Sequence, residues 1–332
     1  MNSMLNILEE ISSRIKRPLI TLLLFKYLRS VKRLECKNGQ IIEIDDPSKY
    51  FISDLVYVCD VFKHFKSIKV RNGKVILDGI PFRPSELRYI GDVIEKLKLR
   101  VGSNFIAEFI YNGRIVKFRL AMTSKGVTGV FSLYEMFVRE DYKVFDYKGK
   151  TVLDVCGFIG DSALFFALND AKKVVSFEPQ REAYELLVEN VKLNEFDNII
   201  VAINEAVGEK DSMVEFLIPD EFSLGASRYI RAGKKTSVKV RDIIRVMNEF
   251  KPDIIKLDCE GCEYGIIDKL LKTGRIYDVE GLVVEFHDTP EVKRWDYIRS
   301  LPFDVAIISD NPHWKVTVVS IRVMQNDAPR HI

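Results

Sequence analysis

The sequence predicts a Rossmann-like, doubly wound α/β domain with a mostly parallel sheet and an antiparallel edge strand, preceded by a small α+β domain. Three observations predict it. From about Lys148 onward, short apolar runs alternate with helical stretches; before that, apolar residues alternate with period two around Asn-Gly pairs; and a glycine-bearing loop follows the first apolar run. Near-continuous apolar runs separated by helices are what a parallel sheet covered on both faces requires. A chain of 332 residues exceeds one ordinary core, and the change of period places the division at 1–140 and 141–332.

In the first part, residues 4–33 read as helix, with Leu5, Ile7, Leu8, Ile11 and Ile15 at helical spacing and Pro18 as a break. The stretch is basic: Arg14, Lys16, Arg17, Lys26, Arg29, Lys32 and Arg33 face only Glu9 and Glu10. Such a helix either packs on its own domain with a solvated charged face or makes peripheral contact with an anionic membrane. Asn38-Gly39, Asn72-Gly73 and Asn112-Gly113 then sit between alternating apolar runs, the strongest short-range hairpin signal. The clearest hairpins join 68–71 to 74–78 and 105–111 to 114–120.

In the second part, strands are expected at Thr151–Cys156, Lys173–Phe177 and Ile199–Ile203, with helices at Asp161–Asn169 and Arg181–Leu193 between them. Further strands follow at 253–258, 281–287, 304–308 and 315–323, the last two joined through the turn signal Asp310-Asn311-Pro312. Two more strand-like pieces, Met213–Ile218 and Ser237–Val240, flank a polar loop at 220–235 that is placed to reach over a site.

Composition limits the function. Hydrophobic residues make up 47% and charged residues 30%, which supplies a core and excludes a wholly disordered chain. Fifty Lys plus Arg against forty-eight Asp plus Glu leave a formal charge of +2, so bulk charge does not drive nucleic-acid binding. Five cysteines without regular spacing are no disulfide scaffold, and their odd number fits a reducing compartment. The apolar run Leu19 to Phe25 is far shorter than the roughly 20 residues a membrane span needs, and no small-residue cleavage site follows it. The expected location is cytoplasmic. Glutamine occurs only at 40, 180 and 325, a leaning toward heat-adapted composition.

Ligands of such sheets bind beyond the carboxyl ends of the strands. After the first strand runs Asp154-Val-Cys156-Gly157-Phe-Ile-Gly160-Asp161, where glycines admit a ligand and the next helix offers its free N–H groups. After the second strand comes Glu178-Pro179, an acid placed to accept from both ribose hydroxyls. A dinucleotide site wants G-x-G-x-x-G, and the carboxylate of Asp154 would repel a diphosphate. It would attract a sulfonium or an ammonium, and S-adenosyl-L-methionine carries both.

The fourth strand ends in Lys256-Leu-Asp258-Cys-Glu260-Gly261-Cys-Glu263, and alternation puts Lys256, Asp258 and Glu260 on one face at the mouth of the same cleft. A salt-bridged loop or an acidic helix start is the lesser alternative reading of the pattern. The fifth strand ends in Glu285-Phe-His287, with Glu285 and His287 on a common face.

These residues resemble the FkbM-type methyltransferases, S-adenosylmethionine-dependent enzymes of Rossmann-like fold. The resemblance covers roughly 140–290. It rests on the Asp154–Asp161 string, on F-E178-P179, E-N190-V-K-L-N194, N204-E-A206-V-G208, I-K256-L-D258-C-E260-G261-C-E263 and V-V-E285-F-H287. It implies that the 154–161 loop cradles the methionine part, that Glu178 holds the ribose, and that Asn204 to Ala206 border the adenine. Asp258, Glu260 and Glu263 would face the transferred methyl and the acceptor, and relatives mostly methylate sugar or polyketide hydroxyls. The family usually reads D-V-G-A-N-I-G-D, whereas this chain has Cys156 for the first glycine and Phe158 for the asparagine. Gly157 is a candidate to supply the freedom lost at 156.

A hydroxyl acceptor needs its proton removed as the methyl arrives, so Asp258 or His287 is the expected base, with Glu260 and Glu285 orienting the acceptor or Lys256. A divalent cation on Asp258, Glu260 and Glu285 would serve the same end, but spacing assigns no metal. Cys259-x-x-Cys262 lacks a second pair and so makes no structural zinc site. The expected partner is a small-molecule or glycan acceptor. Two other readings stay open: a transfer-RNA base methyltransferase whose N-terminal domain reads RNA, disfavoured by L-D-C-E-G where a Pro-rich string is usual, and a degenerate binding module. Oligomeric state is not legible.

Overall fold

The computed structural model describes residues 9–18, 21, 32–102, 104–218, 234–311 and 315–323. The chain divides into two compact units, Met1–Val138 and Arg139–Ile332.

The first unit is built on the Asn-Gly turns. Ile68–Arg71 pairs antiparallel with Lys74–Leu77 across Asn72-Gly73, and Ile106–Tyr111 with Arg114–Arg119 across Asn112-Gly113. Both turn residues have positive φ in each case, at +54° and +73° and at +48° and +75°, which matches the twist of the strands they join. A helix at Leu87–Leu97 buries Leu87, Ile90, Val93 and Leu97, one stripe at helical spacing. Cys36 and Cys59 form a disulfide across a sequence separation of 23. The expectation of no disulfide scaffold did not anticipate this bond, because spacing along the chain does not reveal which residues fold side by side.

Most of the basic stretch 4–33, including 4–8, 19–20 and 22–31, lies outside the described residues, and with it most of the expected membrane-facing surface. In the described part the helix does not run through. Ile15 pairs with Cys36 and Arg17 turns left-handed at φ +52°. Arg14 is tied to Asp60 at 2.6 Å and Lys16 to Glu35 at 2.6 Å.

In the second unit the strands are β1 (Thr151–Val155), β2 (Lys173–Phe177), β3 (Ile200–Ile203), β4 (Ala206–Gly208), β5 (Ser212–Ile218), β6 (Lys234–Asp242), β7 (Ile254–Leu257), β8 (Gly281–His287), β9 (Val305–Asn311) and β10 (Val316–Arg322). The main sheet has the order β3-β2-β1-β7-β8-β10-β9. Strands β3, β2, β1, β7 and β8 are parallel, and β10 is antiparallel to both β8 and β9. This is a Rossmann-like α/β fold. The final hairpin thus inserts its second strand beside β8 and leaves β9 at the edge, where a bulge between Ile307 and Ser309 breaks the ladder. β4, β6 and β5 form a separate three-stranded sheet. The loop 220–235 falls almost wholly outside the described residues.

The helices are α1 (Asp161–Leu168), α2 (Arg181–Leu193), α3 (Ile243–Phe250), α4 (Glu263–Lys272) and α5 (Arg294–Ser300). All eight residues of α1 are buried, so it is a core helix with no solvent stripe. The order of the sheet reverses between β1 and β7, and register sets Asp154 of β1 abreast of Ser176 on β2 and Lys256 on β7. Three polar side chains therefore meet inside an otherwise apolar sheet at its carboxyl end, the switch point at which such folds bind ligands.

Candidate active site

The loop after β1 is built around left-handed residues. Cys156 has φ +60°, Phe158 +45° and Gly160 +91°. L-residues with side chains pay a steric cost of about 1–2 kcal/mol in this region. The positions at which the resembled family carries glycine and asparagine are the ones that need positive φ here. Gly157 does not supply the freedom lost at 156. Cys156 itself adopts the left-handed conformation, and Gly157 is required by packing, since a Cβ there would lie 1.9 Å from Ser176 Oγ and 2.8 Å from Asp154 Oδ2.

Asp154 is fully buried. Its carboxylate accepts from Ser176 Oγ at 2.7 Å and from Ser162 Oγ at 3.0 Å, and it pairs with Lys256 Nζ at 3.3 Å. The carboxylate expected to meet a sulfonium or ammonium thus faces inward and braces the loop. Asp161, at the start of α1, is the acid of this loop that is left open: its Oδ1 is buried without a hydrogen-bond partner, and burial pushes its pKa up to about 7. Glu178 is buried and accepts the Phe158 N–H at 2.9 Å and the Gln180 N–H at 2.7 Å. Burial outweighs these bonds and pushes its pKa up to about 8. Asn204 donates to the carbonyls of Glu178 at 2.8 Å and Pro179 at 3.2 Å, which pins the turn after β2, while half-buried Ala206 opens β4.

The second cluster gathers at the ends of β7 and β8. His287 Nε2 lies 3.4 Å from Glu285, 3.8 Å from Glu260 and 4.0 Å from Asp258. Its Nδ1 faces Glu263 at 3.3 Å. Glu263 is completely buried and also accepts the backbone N–H groups of Gly261 at 2.8 Å and His287 at 3.0 Å. Burial disfavours a charged imidazole, but hydrogen bonds to Glu263 and Glu285 and the charge of Glu260 prevail, and the pKa stands well above its ordinary value. The carboxylates around His287 therefore favour its protonated form. Glu260 sits at φ +53° with about a third of its side chain exposed. Burial, resisted by His287 but reinforced by Asp258, Glu285 and Glu263, pushes its pKa up to about 7.

Lys256 joins the two clusters. Its buried ammonium donates to the Cys156 carbonyl at 2.6 Å and stands 3.3 Å from Asp154 and 3.6 Å from Asp258. Tyr142 adds a hydroxyl 3.3 Å from Asp258 Oδ2. Asp258, Glu285 and His287 each offer a ligand atom within 4.8 Å of the others.

Residues 153–313 match the model of the methyltransferase FkbM domain. The second unit carries an FkbM domain. It is an S-adenosylmethionine-dependent methyltransferase, with S-adenosylmethionine as cofactor. An uncharacterized protein, 158B, of Sulfolobus islandicus rod-shaped virus 1 is 26% identical over 160 residues, 48% of this chain and 74% of its own. Among solved structures, TYW2 of M. jannaschii in complex with AdoMet is 15% identical with a TM-score of 0.37, over 68% of this chain and 90% of that one. An uncharacterized protein of Listeria monocytogenes serotype 4b is 10% identical with a TM-score of 0.36, over 57% and 67%. Likenesses this distant identify neither an acceptor nor a site residue.

The residues of the FkbM domain fit the cofactor. The orphaned Asp161 oxygen lacks a donor that a methionine ammonium carries, and buried Glu178 stands at the end of the neighbouring strand β2. Of the residues singled out from sequence, the structure brings Asp154 to Lys256 and gathers Asp258, Glu260, Glu285 and His287; Ser162, Ser176 and Tyr142, which join them, were not singled out. A signal existed for Ser176: a hydroxyl inside the apolar run Val174-Val175-Ser176-Phe177 must find a partner. No such signal marks Tyr142.

Proposed function

We propose that the FkbM domain methylates a hydroxyl on a sugar or other small-molecule or glycan acceptor, with Glu260 as the general base. The observation that carries this reading is the Glu260 carboxylate, partly exposed and 3.8 Å from His287 Nε2, with burial pushing its pKa up to about 7. A base works best when its pKa is close to the operating pH.

The cofactor supplies an electrophilic methyl on a sulfonium. The chain's own residues then divide the work. Asp161 receives the ammonium, Glu178 with Pro179 holds the ribose, and Asn204 with Ala206 borders the adenine. Cys156, Gly157 and Gly160 shape the loop, and Asp154 braces it from behind. Glu260 takes the hydroxyl proton at its carboxylate. His287, whose pKa is raised by the carboxylates around it, orients Glu260 and Glu285 and steadies their negative charge. Asp258, held by Lys256 and Tyr142, and Glu285 position the acceptor. Collinear placement of oxygen, methyl and sulfur is the main source of acceleration in such a displacement.

The test is release of S-adenosylhomocysteine on a panel of sugars, glycosides and glycans, with total transfer RNA as a parallel acceptor. Turnover on a hydroxyl acceptor that falls about 100-fold or more in Glu260→Gln supports the reading. Full turnover by that variant, or turnover on RNA alone, contradicts it.

A further inference from the structure

The loop between β7 and α4 carries chemistry that methyl transfer does not use. Cys259 and Cys262 are joined by a disulfide three residues apart. They flank Glu260 at φ +53° and Gly261 at φ +107°, so the bond closes a small ring with the proposed base at its tip. In the K-x-D-x-E-G-x-E string both cysteines occupy the variable positions, so the ring belongs to this chain and not to the pattern it shares.

We infer that Cys259 and Cys262 form a reversible dithiol–disulfide site, open to dithiol reductants, whose state sets the position of Glu260. The inference rests on the reading of Glu260 given above. A purely stabilising role fits poorly. The entropy a cross-link removes from the unfolded chain grows with the length of the loop it closes, and this one is far shorter than the loop closed by Cys36–Cys59.

Access and chemistry both suit exchange. Cys262 is partly exposed, whereas Cys259 is buried. One thiolate of the reductant attacks Cys262 Sγ, the Cys259–Cys262 bond breaks, and Cys259 leaves as a thiolate that takes up a proton. The second thiol of the reductant then displaces Cys262, which is protonated in turn. The protein gains two electrons and two protons, and the reductant becomes a disulfide; an oxidised dithiol reverses the sequence. Once reduced, Cys259 has a hydrogen to offer Glu263 Oε2, 3.8 Å away. That carboxylate also holds the Gly261 N–H and the His287 ring. Opening the ring therefore frees Glu260 and adds a competing donor on Glu263, which loosens the imidazolium's surroundings.

The test titrates His287 by NMR in the full chain, with its ring signals assigned by His287→Asn. The ring faces Glu263, Glu285, Glu260 and Asp258, so its midpoint reports on their placement. Reduction with dithiothreitol, and separately Cys262→Ser, is expected to lower the midpoint by about one pH unit, tenfold in proton affinity. Alkylation and intact mass should show 259 and 262 opening at reductant levels that leave Cys36–Cys59 closed. Alkylation of both cysteines before any reductant is added overturns the inference. So does a His287 midpoint that is the same in the oxidised protein, the reduced protein and Cys262→Ser. Calorimetric binding of S-adenosylmethionine, expected to be equal in both redox states, tests the methyltransferase site separately.

Discussion

Lys256 Nζ stands 2.6 Å from the carbonyl oxygen of Cys156, so the one buried cation of β7 holds the left-handed turn that opens the cofactor loop. The same ammonium is 3.3 Å from Asp154 and 3.6 Å from Asp258. Burial works against this charge, but the two carboxylates more than compensate and its pKa is raised. Lys256→Met leaves Asp154 buried and unpaired, which costs about 3–5 kcal/mol by analogy with broken buried pairs. Denaturant unfolding should show that loss, and Lys256→Arg should recover only part of it because a planar guanidinium cannot replace a compact ammonium.

Cys156→Gly should stabilise the domain. The native φ of +60° is free for glycine and costs a side chain about 1 kcal/mol or more. Glycine's larger unfolded-state entropy offsets part of this gain. The expected result is a small rise in Tm with cofactor affinity equal to or better than that of the parent, read by thermal unfolding and calorimetry.

Gly157→Ala should weaken cofactor binding in this chain, where Ser176 and Asp154 crowd the site, although Gly157 is not the residue with unusual φ. Its Cβ would fall 1.9 Å from Ser176 Oγ and 2.8 Å from Asp154 Oδ2, so the Ser176–Asp154 hydrogen bond, the loop or β2 has to give way. Calorimetry should show at least a hundredfold loss, about 2.7 kcal/mol.

The cofactor's affinity should rise with pH. Asp161 and Glu178 have pKa values pushed up to about 7 and about 8 by burial, so at neutral pH the ligand-free site holds protons. A cationic ligand favours the ionised carboxylates, and binding therefore releases protons and weakens as pH falls through 8 and then 7. With both carboxylates ionised in the complex, binding on the order of several hundredfold weaker at pH 6 than at pH 8 is expected. Titrations in buffers of different ionisation enthalpy should report the proton release, and Glu178→Gln should flatten the dependence.

His287 contributes to stability with the opposite sign. Its folded pKa is raised above the unfolded value near 6.5, so its contribution is fully present below about pH 6.5 and is lost as pH rises through the folded pKa. The stability gap between the parent and His287→Asn should therefore be wider at pH 6 than at pH 10 in urea unfolding.

Much of this was readable because it depends on local rules. The Asn-Gly turns fix their hairpins through positive φ, and the β1, β2, β7 and β8 runs declare a buried parallel sheet by their length and apolarity. Site residues at strand ends followed from alternation. The rest depends on register. That Asp154 turns inward to Ser176 and Lys256, and not outward to a ligand, is decided by which residues stand abreast on three strands distant in sequence. Tyr142, from the segment before β1, reaches Asp258 across 116 residues. The proton on His287 depends on four carboxylates converging from two strand ends and a helix start, which no single motif contains. Ala206 as the first residue of β4 was missed because a three-residue strand has too little period to show.

Calorimetric titration of S-adenosylmethionine and S-adenosylhomocysteine into the parent protein and Glu178→Ala tests the site most directly. Binding with a Kd of about 1–10 µM, roughly 7–8 kcal/mol, that weakens at least a hundredfold in the variant is the expected result. No heat from either ligand at about 1 mM, or equal affinity in both proteins, would contradict a cofactor site formed by the 154–161 loop and Glu178.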